Sequence, residues 1–182
     1  MNLDPIKSSS IIFLGDSLTE GFDLHHHFGR NELVNMGISG NLTDHVIYRM
    51  EAVASKKPVK LFLMIGINDL FSGRIAEEVY RNTVIILDFI LEHCNNTQIL
   101  VQSVLPVNVA LLFEDENINT VIYRLNQMLE KKCQSGDRLT FLNLHPDFLN
   151  TNAEMDMKYT FDGIHLSEAG YVLWAKFIEE YL

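Results

Sequence analysis

Five short apolar runs, separated by longer stretches with helical spacing, confine this chain to a layered α/β fold. The runs are residues 10–15 (SIIFLG), 32–36 (ELVNM), 60–66 (KLFLMIG), 98–104 (QILVQSV) and 139–143 (LTFLN). They are mostly continuous rather than alternating apolar with polar, which is the pattern of parallel strands buried on both faces. Between them the spacing predicts helices over 42–54, 76–93, 118–134 and 167–181. The first has a plausible start at Asn41 or Thr43, and the last begins at Ser167, a good N-cap. Strands alternating with helices imply right-handed βαβ units and an open parallel sheet covered by helices on both sides. No repeat, low-complexity tract or linker interrupts the 182 residues, so residues 1–182 are expected to form a single domain. Residues 106–117 and 144–161 are long loops for a compact domain, and long loops are often functional.

Charge and composition narrow the function classes. With 14 Lys+Arg against 24 Asp+Glu the net charge is −10. Such a chain repels phosphate backbones and anionic bilayers, so neither nucleic acid nor a membrane surface is an expected partner. No apolar run approaches the roughly 18 residues of a spanning helix. Residues 11–14 are too short for a signal-peptide core and no cleavage pattern follows, so a cytoplasmic location is expected. Cys94 and Cys133 lack CxxC spacing and are expected to be reduced, structural thiols.

In an open α/β sheet, ligands bind beyond the carboxyl ends of the strands. Polar clusters fall there or in a late loop: Gly15-Asp16-Ser17-Leu18, Gly37-Ile38-Ser39-Gly40-Asn41, Gly66-Ile67-Asn68-Asp69 and Asp162-Gly163-Ile164-His165. An acyl-transfer site needs a hydroxyl on a tight turn, a base within reach, and an acid that orients the base. Ser17 follows a buried strand and a glycine. Asp162 and His165 are three residues apart, a spacing that puts both side chains on one side of a turn or first helical turn, about 5–6 Å apart at Cβ. The site also needs donors for a developing oxyanion. The N–H groups of Ser17 and Gly40 and the Asn68 side chain could supply three.

GDSLTEG at 15–21, GISGN at 37–41, GIND at 66–69 and DGIH at 162–165 resemble blocks I, II, III and V of the SGNH, or GDSL, hydrolases, in the family's order. The resemblance extends from residue 11 to about 178, and DGIHLSEAGY is most similar to small bacterial esterases related to platelet-activating-factor acetylhydrolase. It implies a three-layer, flavodoxin-like α/β fold with a five-stranded parallel sheet in the order 2-1-3-4-5. It also implies Ser17 as nucleophile, His165 as general base, Asp162 as its orienting acid, and Ser17, Gly40 and Asn68 as the oxyanion hole. The GxSxG elbow of the α/β-hydrolases is absent, so a different fold is implied.

The expected chemistry is hydrolysis, without metal or cofactor, of an acetyl or other short acyl ester of a sugar or small lipid-like alcohol. Rival readings are a lysophospholipase or thioesterase, a silent binding domain for acylated glycans, and a nucleotide-binding flavodoxin-like protein. GDSLTEG is a poor phosphate cradle for the last of these. Leu111, Leu112 and Phe113 lie in an apolar stretch at 107–113, which either wall the acyl pocket or pack as core or against a partner; a homodimer is left open. Asp16 and Asp69 are expected to bond neighbouring backbone N–H groups rather than to form a metal pair, since no ligand cluster completes a shell. His25, His26 and His27 are expected on a solvated loop or helix edge, and Arg74 on the surface rather than against substrate.

Overall fold

The computed structural model describes residues 10–112 and 117–182. Strands β1 (Ile11–Gly15), β2 (Leu33–Gly37), β3 (Lys60–Met64), β4 (Gln98–Gln102) and β5 (Leu139–Leu142) form one sheet in the order β2-β1-β3-β4-β5. Every neighbouring pair is parallel. Strand β1 sits between β2 and β3, with Gly15 opposite Gly37 on one side and Met64 on the other. Three chain segments therefore leave the sheet together at its carboxyl end. Strands β3 and β4 each stop two residues before the predicted ends, where the backbone leaves the ladder for the site loops.

The period of two along each strand divides the apolar residues between two cores. Ile12, Leu14, Leu61, Leu63, Ile99 and Val101 face one side, against α6 (Ala76–His93) and α8 (Ile118–Cys133). Ile11, Phe13, Phe62, Met64 and Leu100 face the other, against α9 (Glu168–Ile178). Each fully buried Leu, Ile or Phe contributes roughly 1.5–3 kcal/mol relative to exposure, so burial on both faces explains why these runs carry no polar alternation. On the second face Phe13 stacks on Phe62 at 4.5 Å, and buried Trp174 donates its indole N–H to Gln102 Oε1 at 2.6 Å. That bond satisfies a polar group that would otherwise be costly to bury.

The predicted helix over 42–54 is two helices, α3 (Thr43–Tyr48) and α4 (Met50–Ala54). The break falls at Arg49, whose guanidinium donates to Met36 O at 2.7 Å and Gly15 O at 3.1 Å. This cation ties together the carboxyl ends of β1 and β2. Helix α9 does begin after Ser167, whose Oγ accepts from Gly170 N–H at 3.3 Å. Four short helices occupy segments the spacing left as turns: α1 (Ser17–Glu20), α2 (Leu24–Phe28), α5 (Ile67–Phe71) and α7 (Val109–Leu112). Cys94 and Cys133 are buried and unbonded to each other, and burial pushes the Cys133 thiol up to about 11. Among the described residues no helix is long and apolar enough to cross a membrane.

Candidate active site

Ser17 is the first residue of α1, directly beyond β1. Asp16 caps that helix by accepting from Leu18 N–H at 3.0 Å, which fixes the turn on which Ser17 stands. Asp16 is itself 1 % exposed, and its Oδ2 has no partner among the described residues. Burial pushes its carboxyl up to about 7, against the opposing pull of the Leu18 N–H and of His165.

The late loop brings its two titratable groups to this turn. Ser17 Oγ lies 3.0 Å from His165 Nε2, and His165 Nδ1 lies 2.6 Å from Asp162 Oδ2. Asp162 Oδ1 accepts from Ile164 N–H at 2.9 Å and from His165 N–H at 2.7 Å. The three-residue spacing is thus a hydrogen-bonded turn, and the carboxylate that holds the imidazole is itself held by the backbone. Burial acts to raise the Asp162 carboxyl, but the His165 hydrogen bond and these two N–H groups outweigh it and keep it below its usual value. With Asp162 accepting at Nδ1, the Nε2 of a neutral imidazole is the basic nitrogen and faces the serine hydroxyl.

A second set of donors gathers from β2 and β3. Gly40 has φ +73°, in the left-handed region that a side chain disfavours. Asn68, in α5, donates through Nδ2 to Asn41 O at 3.1 Å. That bond consumes one amide hydrogen, fixes the plane of the amide beside the Gly40 turn and leaves its other hydrogen available. Among the described residues the Ser17 and Gly40 N–H groups have no acceptor. The Gly40 turn is further tied to α1, since Glu20 accepts from Ser39 N–H at 3.2 Å and from the Ser39 hydroxyl.

The apolar candidates divide. Asn108 N–H donates to Gly163 O at 2.9 Å, and a Cβ on Gly163 would come within 2.9 Å of Leu112 Cγ and 3.2 Å of Leu111 Cβ. Helix α7 therefore presses on the turn that carries Asp162 and His165. Leu111 is 37 % exposed there, whereas Leu112 packs against the core. Phe113 lies outside the described residues. Cavities of about 380 and 450 Å³ are lined by other residues, among them Pro58 and Cys94, and Tyr123 and His145. Beside Ser17, the Asp162 and His165 side chains are 40 % and 39 % exposed.

Several contacts had no sequence signal because they join residues at no regular spacing. Asp16 bonds a neighbouring N–H, but Asp69 instead accepts from Thr43 N–H at 2.9 Å, Thr43 Oγ1 at 2.6 Å and Arg74 Nη1 at 2.8 Å. Asp69 is fully buried, so Arg74 is the counter-ion of a core carboxylate, and it also pairs with Asp44. Asn35 donates to Thr19 O at 2.6 Å and Phe22 O at 3.0 Å, which ties β2 to the segment after Ser17. The histidine run forms α2. His27 packs on Phe22, and His26 Nε2 lies 3.7 Å from Glu168 Oε1. Although consecutive residues diverge on a helix, the donor atoms of His26, His27 and Glu168 fall within 4.8 Å of one another.

Residues 13–173 match the family model described as "GDSL-like Lipase/Acylhydrolase family". Platelet-activating factor acetylhydrolase IB subunit alpha1 of Bos taurus is 25 % identical over 174 residues, covering 91 % of this chain and 71 % of that protein. A GDSL-like lipase from Bacteroides thetaiotaomicron has the same fold, with a TM-score of 0.82 at 21 % identity, covering 100 % of this chain and 91 % of that one. An acetyl xylan esterase gives a TM-score of 0.75 at 20 % identity, covering 95 % of this chain and 99 % of that one. The protein belongs to the GDSL-like lipase/acylhydrolase family and is a carboxylic ester hydrolase.

Proposed function

We propose that this chain hydrolyses acetyl or other short acyl esters of a sugar or small lipid-like alcohol through an acyl-enzyme on Ser17. The observation that carries the proposal is the continuous line Ser17 Oγ, His165 Nε2, His165 Nδ1, Asp162 Oδ2, with contacts of 3.0 and 2.6 Å. Ser17 Oγ attacks the ester carbonyl carbon as His165 Nε2 takes its proton. The negative charge that develops on the carbonyl oxygen is met by the Ser17 and Gly40 N–H groups and the remaining Asn68 amide hydrogen, all fixed before the substrate arrives. Asp162 stabilises the imidazolium. Collapse of the tetrahedral intermediate breaks the C–O bond, and the alcohol leaves with the proton from His165. Water then attacks the acyl-enzyme, with His165 again as base, and releases the acid and free Ser17.

Similarity to known esterases supports a short acyl group. The acetylhydrolase and the acetyl xylan esterase to which the chain is similar are both named for acetyl esters. The test is a series of p-nitrophenyl esters of increasing acyl length, followed by O-acetylated sugars. kcat/KM should peak between acetyl and butyryl, because a buried CH₂ contributes about 0.8 kcal/mol, roughly fourfold, only while the acyl subsite still has room. A maximum at eight or more carbons would overturn the short-acyl assignment, and no turnover of any ester would point to a silent binding domain.

A further inference from the structure

We propose that Phe161 forms the floor of a subsite for the alcohol half of the ester, and that this subsite takes a ring-bearing neutral alcohol. The inference takes Ser17 as nucleophile and His165 as base, as proposed above. In that chemistry the same nitrogen, His165 Nε2, receives the serine proton and returns it to the leaving oxygen. The leaving oxygen must therefore come within hydrogen-bond reach of Nε2, and the rest of the alcohol extends past the imidazole. The oxyanion points away from it, toward the Gly40 turn and Asn68. A side chain flanking the imidazole at the surface therefore meets the alcohol rather than the acyl group.

Phe161 is that flank. Its ring centroid lies 5.9 Å from that of His165, with the two planes only 16° apart. It is 71 % exposed, and among the described residues His165 is its only ring contact. Its backbone is pinned to the very residue it flanks: Phe161 N–H donates to His165 O at 3.3 Å, and Thr160 Oγ1 donates to the same carbonyl at 2.8 Å. Thr160 and Leu166 close the turn with an antiparallel bridge. Scattered exposed apolar residues are ordinary on a protein surface. A phenyl ring held on a closed turn, near-parallel to the proton-transferring imidazole, is instead a preorganised platform.

The chemistry of that platform selects its ligand. A phenyl face offers dispersion and a negative quadrupole, which suit the C–H face of a sugar ring or an aromatic ring. It would also attract a quaternary ammonium, but recognition of that group characteristically uses a cage of several rings, and among the described residues one ring alone stands here. Small acyclic alcohols are too short to lie across it once their oxygen is at His165.

The test uses the full chain and acetates that share one acyl group: ethyl acetate, benzyl acetate, a 6-O-acetyl glucoside and acetylcholine. Phe161→Ala should lower kcat/KM about 10-fold for the benzyl and glucoside esters and less than about twofold for ethyl acetate. Phe161→Tyr should restore the ring esters to near wild type. The Ala effect should be constant from acetyl to hexanoyl esters of benzyl alcohol, and the pH profile of kcat/KM should not move. Because Phe161 is exposed, the melting temperature should stay unchanged. Equal losses on ethyl and ring esters would mean that Phe161 acts by positioning His165. An effect that varies with acyl length would place it on the acyl side, and a larger loss on acetylcholine would make the ligand cationic. Any of these, or no loss, overturns the proposal. If Ser17→Ala keeps full activity on benzyl acetate, the underlying mechanism fails first and this subsite falls with it.

Discussion

Asp16 stands one residue before the proposed nucleophile, and its burial has a measurable cost. Its carboxyl is displaced from an ordinary 3.8 to about 7 by burial. The folded state therefore binds more protons at Asp16 than the unfolded state between those two values. Stability consequently falls as pH rises through that window, and the full penalty is present above about pH 7. At about 1.4 kcal/mol per pH unit, the interval from 3.8 to about 7 corresponds to about 4 kcal/mol. Asp16→Asn keeps an oxygen to accept the Leu18 N–H bond but carries no charge at any pH. Below pH 4 the two proteins should differ little. By pH 8 the Asn variant should have gained up to about 4 kcal/mol relative to wild type. Urea unfolding of both proteins at unit intervals from pH 4 to pH 8 gives the difference directly, and every other titrating group is common to the pair. A difference that stays flat across this range would show instead that Asp16 ionises in the folded protein as readily as in the unfolded one.

Asn68→Ala removes one oxyanion donor while leaving Ser17 and His165 in place, so kcat on p-nitrophenyl acetate should fall about 10²–10³-fold with KM little changed. A rise in KM at constant kcat would instead make Asn68 a uniform substrate contact. Asp162→Asn should cost on the order of 10³–10⁴-fold in kcat by disturbing the tautomer of His165, and near-normal turnover would show that the Asp162 contact is dispensable. Arg74→Ala strips the fully buried Asp69 of its cation and should destabilise the fold by about 2–4 kcal/mol in urea unfolding, with KM unchanged. A raised KM at unchanged stability would place Arg74 at the substrate.

The sheet could be read from the sequence because burial on both faces leaves no polar residue at alternate positions. Residues 10–15 and 60–66 show this plainly, and they become the central strands β1 and β3. The helix over 76–93 was equally legible, since Val79, Ile86 and Ile90 repeat at helical spacing and all are fully buried. The break at Arg49 was not, because it lies where a side chain reaches carbonyls at residues 15 and 36. Local propensity carries no trace of such a contact. At the candidate site, Ser17 and Asn68 could be named from motifs at strand ends, and Asp162 and His165 from a motif in the late loop. What holds them could not: Asn41 O under the Asn68 amide, Glu20 under the Gly40 turn and Phe161 beside the imidazole are contacts of the folded chain. The pairing of Asp69 with Arg74 is only five residues apart, yet α5 ends between them, so no regular spacing announces it.

Whether Ser17 is the nucleophile is decided by treating wild type and Ser17→Ala with a serine-directed organophosphonate, then measuring intact mass and residual turnover of p-nitrophenyl acetate on the same samples. Wild type should gain a single adduct, mapped to Ser17, and lose activity in step with it. The Ala variant should remain unlabelled and turn over on the order of 10⁴-fold or more slowly, with an unchanged melting temperature. A folded Ala variant that keeps substantial activity, or an adduct on any other residue, would show that Ser17 is not the nucleophile.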